Sequence, residues 1–327
     1  MTIFTQLIYA LFSSICCVLL IPQINKFGIK KDITDLPNKR KKHAVPLVRL
    51  GGVAIFLSFI IFSIISIIFG DIKYFYDYSL SKFCLIIFTS SLIFLIGLCD
   101  DIFSISPFLR LLFQFSIALI SWSYGLRIEI LNFTFFGNSI FIDLGFLSIF
   151  LTLIWIVGVT NAINWIDGLD GLAASISSIA FLTIFLLSSQ ENSFLSLISL
   201  ILLGSCIGYL KFNTFPAKIL MGDCGSNFLG FILSQMTILL SSNQETINGI
   251  GFNSTNIFLA LGILFVPLSD MFFVMINRIL NGNSVFFPDR SHLHFRLLNN
   301  GLSTRKTVAF LNIYATLMVL IFTFVSY

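Results

Sequence analysis

Five short polar segments interrupt an otherwise apolar chain, and their residue types suit phosphate and divalent-metal chemistry. They are the basic stretch ending at Gly51-Gly52, the pair Asp100-Asp101, and residues 161–171, 221–226 and 289–294. A carboxylate placed in membrane hydrocarbon costs about 2.5–3.5 kcal/mol, so acids that accumulate in such a chain need a function. Phosphoryl transfer uses a divalent ion, cationic side chains and a positioned nucleophile or base. The five segments offer candidates for all three.

Asp100 and Asp101 are adjacent carboxylates at the end of an apolar run. Two like charges side by side raise one of the two pKa values unless a cation lies near. The pair therefore predicts a divalent metal or a phosphate proton as its partner. A solvated helix end is the alternative interpretation.

Asn161, Asn164, Asp167 and Asp170 recur every three residues. Neighbours in this series can share a helix face, but the first and last would lie on opposite sides of a straight helix. The glycines that follow Asp167 and Asp170 predict a break, which would let several oxygen atoms converge on one bound group. Amide and carboxylate oxygens suit Mg²⁺ or Mn²⁺. A polar turn that merely joins two helices is the alternative.

Asp223 lies in the sequence Met221-Gly-Asp-Cys-Gly-Ser226. Its glycines allow close approach of a ligand, and the N-terminus of the following helix is expected to offer free N–H groups to a phosphate. An ordinary helix cap would explain the same residues.

His292 and His294 would point about 200° apart on a helix and could not chelate one ion there, so we expect them in a loop. With Arg290 and Arg296 they form a donor-rich patch suited to phosphate oxygens. A positively charged loop with incidental histidines is the alternative.

Residues 26–52 form the remaining polar segment, which is rich in lysine and arginine. Most of these basic residues suit membrane orientation and contact with anionic headgroups. His43 and Arg49, nearest the next apolar run, are the expected ligand contacts. Asp270, inside a later apolar run, is either a buried structural carboxylate or a wall of the cavity.

The elements that must position these residues are membrane helices. Apolar residues make up 57% of the chain, Phe alone occurs 39 times, and only 10% of residues are charged. Because a spanning helix needs about 20 apolar residues, the sequence predicts an all-α polytopic membrane protein with about ten transmembrane helices. The predicted spans are 3–24, 52–70, 81–98, 108–124, 145–160, 172–188, 194–210, 226–242, 256–277 and 307–325.

Basic residues predict the orientation of these spans. If the first span is a retained anchor running inward, all but Lys73, Lys82 and Arg127 of the 19 lysines and arginines lie on the inner side. All five polar segments then fall in inner loops, which predicts a cytoplasmic-face active site in the plasma (inner) membrane. Residues 126–143 predict a small external β-hairpin, and we expect residues 1–327 to form a single transmembrane domain.

Taken in order, the motifs resemble those of the polyprenyl-phosphate N-acetylhexosamine-1-phosphate transferase family. The resemblance rests on Asp35-Leu-Pro37 through Arg40, His43, Pro46 and Arg49 to Gly51-Gly52, then on Asp100-Asp101, Asn161 to Asp170, Met221 to Ser226, and Asp289 to His294. It implies transfer of a sugar 1-phosphate from a UDP-N-acetylhexosamine to a polyprenyl phosphate, with release of UMP and with Mg²⁺ (or Mn²⁺) as cofactor. No nucleic-acid partner is expected, and a homodimer is an assembly compatible with the resemblance.

The resemblance also implies a role for each matched residue. Asn164 and Asp223 would hold the metal, while Asp100 and Asp101 would activate or position the lipid phosphate. Asp167, which we also count as catalytic, and Asp170, with Asn213 nearby, fall where the family handles the nucleotide. The diphosphate and sugar would be bound by the remaining candidates, namely Arg290, His292, His294 and Arg296.

The opening and closing motifs resemble the N-acetylglucosamine branch, whose products start cell-envelope glycans. The chain departs from this branch at two positions. Val48 stands where a second proline is common, and Phe295 replaces the usual third histidine, so we expect Phe295 to take no part.

Two other classes of membrane protein also use carboxylates within spans. A secondary transporter would place them near the bilayer midplane, whereas here most lie at predicted helix ends. An intramembrane aspartyl protease needs two facing aspartates and would leave the amides, glycines and arginines without a role.

Overall fold

The computed structural model describes residues 2–35, 46–69, 77–135, 138–188, 193–247, 250–285 and 290–326. A helix lies at each of the ten positions predicted from the apolar runs. In chain order the helices are α1 (Ile3–Lys30), α2 (Gly51–Ile68), α3 (Asp77–Phe103), α4 (Pro107–Ser123), α5 (Leu147–Ile166), α6 (Leu172–Ser188), α7 (Ser193–Asn213), α8 (Gly222–Ser241), α9 (Ile257–Ile263), α10 (Phe265–Leu280), α11 (Leu293–Asn299) and α12 (Thr304–Ser326).

The length and composition of the helices define an integral membrane protein. Within the described ranges, six helices are long and apolar enough to cross a membrane, and the count reaches seven if α9 and α10, bent by 86°, form one broken span. The apolar helices α4 and α6 are shorter. The outer helices expose large apolar side chains, among them Phe4, Leu11 and Phe324, which suits contact with lipid.

Small residues bring α1 against α7, a largely buried helix. A Cβ added at Gly204 would clash with the backbone of Ala10, so the two helices approach closely only because this position is glycine. The Ser13 hydroxyl donates to the Ile201 carbonyl oxygen at 2.8 Å. Both features are typical of membrane helices, which associate through close packing and hydrogen bonds because the surrounding lipid is as apolar as the helices themselves.

Two small sheets accompany the helices. Strands β1 (Thr34–Asp35) and β2 (Leu47–Val48) pair antiparallel beside the start of α2. The predicted hairpin is present as β3 (Ile130–Phe135) and β4 (Asn138–Asp143), which pair antiparallel with Ile130 opposite Asp143.

That hairpin belongs to a larger sheet that the sequence analysis did not predict. Strands β5 (Ser242–Ile247) and β6 (Ile250–Asn256) pair antiparallel, and β6 runs parallel to β3, giving the order β4-β3-β6-β5. The Asn-Gly pair at positions 248–249 of the sequence is a hairpin signal that could have indicated these strands.

Helix connectivity brings the polar segments to one end of the bundle. The loops α1–α2, α3–α4, α5–α6, α7–α8 and α10–α12 lie at this end, and the four-stranded sheet, built from the α4–α5 and α8–α9 connections, lies at the other. Backbone bonds join two of these segments, since Gly51 N donates to Leu220 O and Leu220 N donates to Val48 O, both at 2.8 Å. The five segments therefore surround one region.

Candidate active site

The centre of the site is a group of three carboxylates and two guanidinium groups, the acid–arginine cluster, formed by Asp100, Asp101, Asp223, Arg49 and Arg110. Arg49, in the residues leading into α2, places Nη2 3.2 Å from Asp223 Oδ2 and 3.4 Å from Asp101 Oδ1. It thus joins the C-terminal turn of α3 to the first turn of α8. With all five groups ionised, the cluster carries one net negative charge.

Arg110 is the member of the cluster to which the sequence analysis gave no functional role. Its Nη1 lies 2.8 Å from Asp100 Oδ2 and 3.4 Å from Asp223 Oδ1. The available signal was its place in the first turn of α4, directly after the short loop that follows the aspartate pair.

Asp101 caps α8 rather than facing the open site. Its Oδ1 accepts from Asp223 N and its Oδ2 from Cys224 N, both at 2.9 Å. The prediction that this helix N-terminus leaves its N–H groups free for a phosphate was therefore wrong for these two groups, because a carboxylate of the chain already satisfies them. Gly222, at φ +78°, permits this packing, since a Cβ there would meet Arg49 O and Asp101 Oδ2.

Asn164 contacts the same carboxylate from α5. Its Nδ2 lies 2.5 Å from Asp223 Oδ1 and 2.8 Å from Ser226 Oγ. In the part of the chain that is described, no three His, Cys, Asp or Glu side chains form a complete metal site. Mg²⁺ needs only one or two protein carboxylates when water and substrate phosphates supply its other ligands. The Asp223 carboxylate fits that donor set, and the Asn164 amide beside it, whose NH₂ group faces Asp223 here, would supply its oxygen to a bound ion.

The loop between α5 and α6 has the predicted break. Helix α5 ends at Ile166, α6 begins at Leu172, and Gly171 between them adopts φ +77°. Asp170 Oδ2 accepts from Ala217 N at 2.9 Å. Asn213 accepts from Gly171 N at 2.8 Å through Oδ1 and donates to Ile219 O at 2.9 Å through Nδ2. Asp170 and Asn213 thus fix the α7–α8 connection against the broken segment.

Asp167, which directly follows α5, has an altered acidity. Burial raises the pKa of its carboxyl to about 7, and the negative charges of Asp223, Asp101 and Asp170 add to this effect, while Arg49 opposes it. A carboxyl group with a pKa near neutrality can hold or release a proton under ordinary conditions, as general acid–base chemistry requires.

A cavity of about 300 Å³ opens beside the cluster. Polar and apolar residues both line it, namely Asp35, Arg49, Asn164, Asp167, Gly168, Leu169, Asp170, Asn213, Phe215, Leu220, Met221, Gly222, Asp223, Ser226, Arg290, Phe295, Leu298, Asn299 and Thr304. Residues from four of the five connections at this end of the bundle reach the cavity, and the end of α3, before the fifth connection, contributes Asp100 and Asp101 to the adjacent cluster.

The histidine segment is helical where a loop was expected. His292 precedes α11, but His294 lies inside it, so the loop prediction was wrong for His294. Asp270 explains the difference, because its Oδ1 accepts from Leu293 N at 2.6 Å and so caps the helix, and its Oδ2 lies 2.8 Å from His292 Nδ1. Of the two interpretations of Asp270, the buried structural carboxylate is the one observed.

His294 is 1% exposed, and neither ring nitrogen has a hydrogen-bond partner among the described residues. Burial lowers its pKa to about 4, so the imidazole is neutral at neutral pH. Its ring stacks on that of His292, with 5.4 Å between the ring centres, and packs against Gly168, which lines the cavity. In this arrangement His294 cannot offer a positive charge to a diphosphate.

The two arginines of this segment, Arg290 and Arg296, lie in different surroundings. Arg290 lines the cavity and its guanidinium lies 5.8 Å from the centre of the Phe295 ring, whereas Arg296 lies over Phe273 at 4.5 Å and is not among the cavity residues. Phe295 itself lines the cavity, and the expectation that it takes no part in the chemistry stays a prediction. His43 and Asp289 lie outside the described residues.

Helices that end in clustered acids, amides and guanidinium groups around one cavity define a membrane enzyme of the phosphotransferase type. The family model for glycosyl transferase family 4 matches residues 83–241, which include four members of the acid–arginine cluster. The chain is 35% identical over 305 residues to the "Probable undecaprenyl-phosphate N-acetylglucosaminyl 1-phosphate transferase" of Bacillus subtilis (strain 168), covering 93% of this chain and 80% of that protein.

Other relatives carry related names. Identity is 30% to the decaprenyl-phosphate N-acetylglucosaminephosphotransferase of Mycobacterium leprae (strain TN), over 83% of this chain and 71% of that protein. It is 27% to the undecaprenyl-phosphate alpha-N-acetylglucosaminyl 1-phosphate transferase of Escherichia coli (strain K12), over 90% and 76%. The chain belongs to glycosyl transferase family 4.

Proposed function

We propose that this protein transfers N-acetylglucosamine 1-phosphate from UDP-N-acetylglucosamine to a polyprenyl phosphate, undecaprenyl phosphate by analogy with the relatives, and releases UMP. The relatives' names supply the substrates. The observation that carries the proposal is the convergence of Asn164, Asp223, Arg49 and Arg110 beside the cavity. The product would start a lipid-linked glycan of the cell envelope.

In this proposal Asn164 and Asp223 hold Mg²⁺ (or Mn²⁺). The ion would polarise the diphosphate and stabilise the charge that develops on the departing UMP. Arg49 and Arg110, which contact the carboxylates, would also donate hydrogen bonds to phosphate oxygens once a diphosphate enters. Asp167, with its pKa of about 7, can exchange a proton with a phosphate bound in the cavity.

Asp100 would position the lipid phosphate indirectly, by orienting Arg110. Arg110 contacts both Asp100 and Asp223. Asp101 acts indirectly by holding the first turn of α8. Arg290 and Phe295 are placed to contact the sugar or nucleotide, since both line the cavity. The rings of His292 and His294 pack against Phe295 and would hold it in place.

We expect UMP to be released from UDP-N-acetylglucosamine only when both a polyprenyl phosphate and Mg²⁺ are present. Purified protein in detergent should lose this activity in EDTA and regain it on addition of excess Mg²⁺ or Mn²⁺, because an ion held by so few protein ligands exchanges with the solution. UMP and the lipid-linked sugar phosphate are measured together. Transport of the substrate into liposomes without UMP release would instead support a secondary transporter.

We further propose ten spans, with the cavity end facing the cytoplasm and the four-stranded sheet outside. The ten helical segments that match the apolar runs support the span number, and the excess of basic residues at the cavity end supports the orientation. A homodimer stays a prediction.

This orientation predicts opposite labelling of cysteines at the two ends. In a cysteine-free background, a membrane-impermeant thiol reagent added to intact cells should modify Asp143→Cys, in β4, and should not modify Lys306→Cys, near the cavity, until the cells are permeabilised. Both positions are exposed. Labelling of Lys306→Cys in intact cells would reverse the proposed orientation.

A further inference from the structure

One helical turn below the cluster, three amide side chains from different helices form a hydrogen-bonded chain, which we call the amide layer. It consists of Gln114 on α4, Asn161 on α5 and Asn227 on α8. Asn161 Nδ2 donates to Gln114 Oε1 at 2.7 Å, and Gln114 Nε2 donates to Asn227 Oδ1 at 3.4 Å. Gln114 and Asn227 are 1% and 2% exposed. Gln114 thus connects the other two.

Each member of the amide layer lies one turn from a residue of the site on the same helix. Gln114 follows Arg110 by four residues, and Asn227 follows Asp223 by four. Residues three or four apart occupy the same helix face. Asn161 stands in the same relation to Asn164, which it precedes by three.

The three site residues join the same three helices, with Asp223 on α8 as the central residue instead of a residue on α4. Asn164 and Arg110 both contact Asp223 Oδ1, at 2.5 Å and 3.4 Å. Because a helix is rigid along its axis, a shift of one helix in the amide layer moves its site residue by the same amount. A misplacement of about 1 Å in an active site can cost 10²-fold in rate.

Close packing alone does not fix this register. Helices α5 and α8 approach closely at Gly230, where an added Cβ would lie 2.8 Å from Thr160 Cα. Such contacts set the distance between two helices but permit sliding along the axis. Directional hydrogen bonds of the buried Gln114 oppose sliding, since a shift would leave its buried amide donor and acceptor unsatisfied.

We propose that Gln114, Asn161 and Asn227 are positioning residues that hold α4, α5 and α8 in the register at which Arg110, Asn164 and Asp223 meet. The layer gives Asn161 a role that the phosphate and metal assignments did not include. This inference rests on the proposed function, since its readouts are metal binding and sugar-phosphate transfer.

The test compares two buried glutamines in the full-length protein. Gln114→Met removes both bonds of Gln114 with little change in volume. Gln235→Met is the matched control, because Gln235 on α8 is also fully buried and donates to Thr89 Oγ1 at 2.9 Å and Ser121 Oγ at 2.8 Å. It lies twelve residues beyond Asp223, about 18 Å along the helix.

We expect Gln114→Met to lower kcat about 10²-fold, because that is the cost of a misplacement of about 1 Å in an active site. The variant should also weaken Mn²⁺ binding measured by electron paramagnetic resonance. Gln235→Met should lower the thermal midpoint comparably and leave both readouts near wild type. Equal effects of the two variants on rate and Mn²⁺ affinity would overturn the proposal.

A second variant keeps the test decisive if Gln114→Met fails to fold. Replacing all three amides by leucine leaves no unsatisfied group, so we expect stability to recover while the rate stays low. A wild-type rate in this triple variant would also overturn the proposal. If the wild-type protein binds Mn²⁺ but releases no UMP, the proposed function fails, and Mn²⁺ affinity still tests the amide layer.

Discussion

The Asp223→Asn variant should lose UMP release by roughly 10²–10³-fold or more while remaining folded. Asp223 receives donors on both oxygens, from Asn164 and Arg110 on Oδ1 and from Arg49 on Oδ2. An asparagine has one oxygen, so its NH₂ group must face one of these donor sets, and the charge that would hold a divalent ion is lost. The fold should survive, because the bond from residue 223 to Asp101 uses the backbone N–H.

This loss is measured as the rate of UMP release across a range of Mg²⁺ concentrations, with the thermal midpoint recorded alongside. Asp143→Asn is the control, since the Asp143 carboxylate lies at the sheet end and accepts only a local bond from Gly145 N among those described. It should retain the wild-type rate. An Asp223→Asn protein with full activity would remove this residue from the metal site.

Sequence patterns were sufficient for the long apolar helices and for bringing the polar segments to one end of the bundle. They did not indicate α11 or the 86° bend that divides the predicted span 256–277 into α9 and α10. Apolar runs of about 20 residues placed ten helical segments, because the hydrophobic requirement of a span is strong and local. The position of the motifs at helix ends followed from that count. The α5–α6 break was also readable, since Gly171 adopts a backbone conformation that favours glycine.

Side-chain partners across helices could not be read in the same way. Asp100 and Asp101 are adjacent in sequence but face different groups, Asp100 towards Arg110 and Asp101 towards the first turn of α8. Which of two neighbouring acids caps a helix depends on the rotation of α3 relative to α8, and apolar composition does not encode that rotation. The helical position of His294 was hidden similarly, because the cap that starts α11 comes from Asp270 on another helix.

The strands β5 and β6 were missed for a different reason. Their sequences are polar and show only weak alternation of apolar and polar residues. In addition, β6 pairs with β3, which belongs to a hairpin far away in the sequence. Pairing between distant segments depends on tertiary context more than on local propensity.

The different surroundings of the two adjacent aspartates predict different outcomes for their amide variants. In Asp101, both oxygens accept backbone N–H groups of α8, so Asp101→Asn would set an NH₂ group against one of them. This change affects the start of the helix that carries Asp223. Loss of rate in that variant would therefore accompany loss of stability, which makes Asp100 the better probe of chemistry.

Asp100→Asn should lower UMP release about 10²-fold with a small change in thermal midpoint, the size of loss that follows removal of one well-placed charged partner. Asp100 Oδ1 accepts from Ile105 N at 2.8 Å, and an asparagine can keep this bond to the α3–α4 turn. Its Oδ2 lies 2.8 Å from Arg110, and there the variant presents an NH₂ group to a guanidinium. Arg110 would then pair with Asp223 alone, and the cluster would lose its net negative charge.

A double-mutant cycle separates this effect from a general loss of charge. If Asp100 acts by orienting Arg110, then Arg110→Gln should cost nearly as much as Asp100→Asn, and the double variant little more than either single change, because both remove one interaction. Rates are compared at saturating UDP-N-acetylglucosamine with the polyprenyl phosphate varied, so that a defect in lipid-phosphate binding appears in KM. Additive losses would show that the two residues act independently, and a wild-type rate for Asp100→Asn would exclude its assigned role.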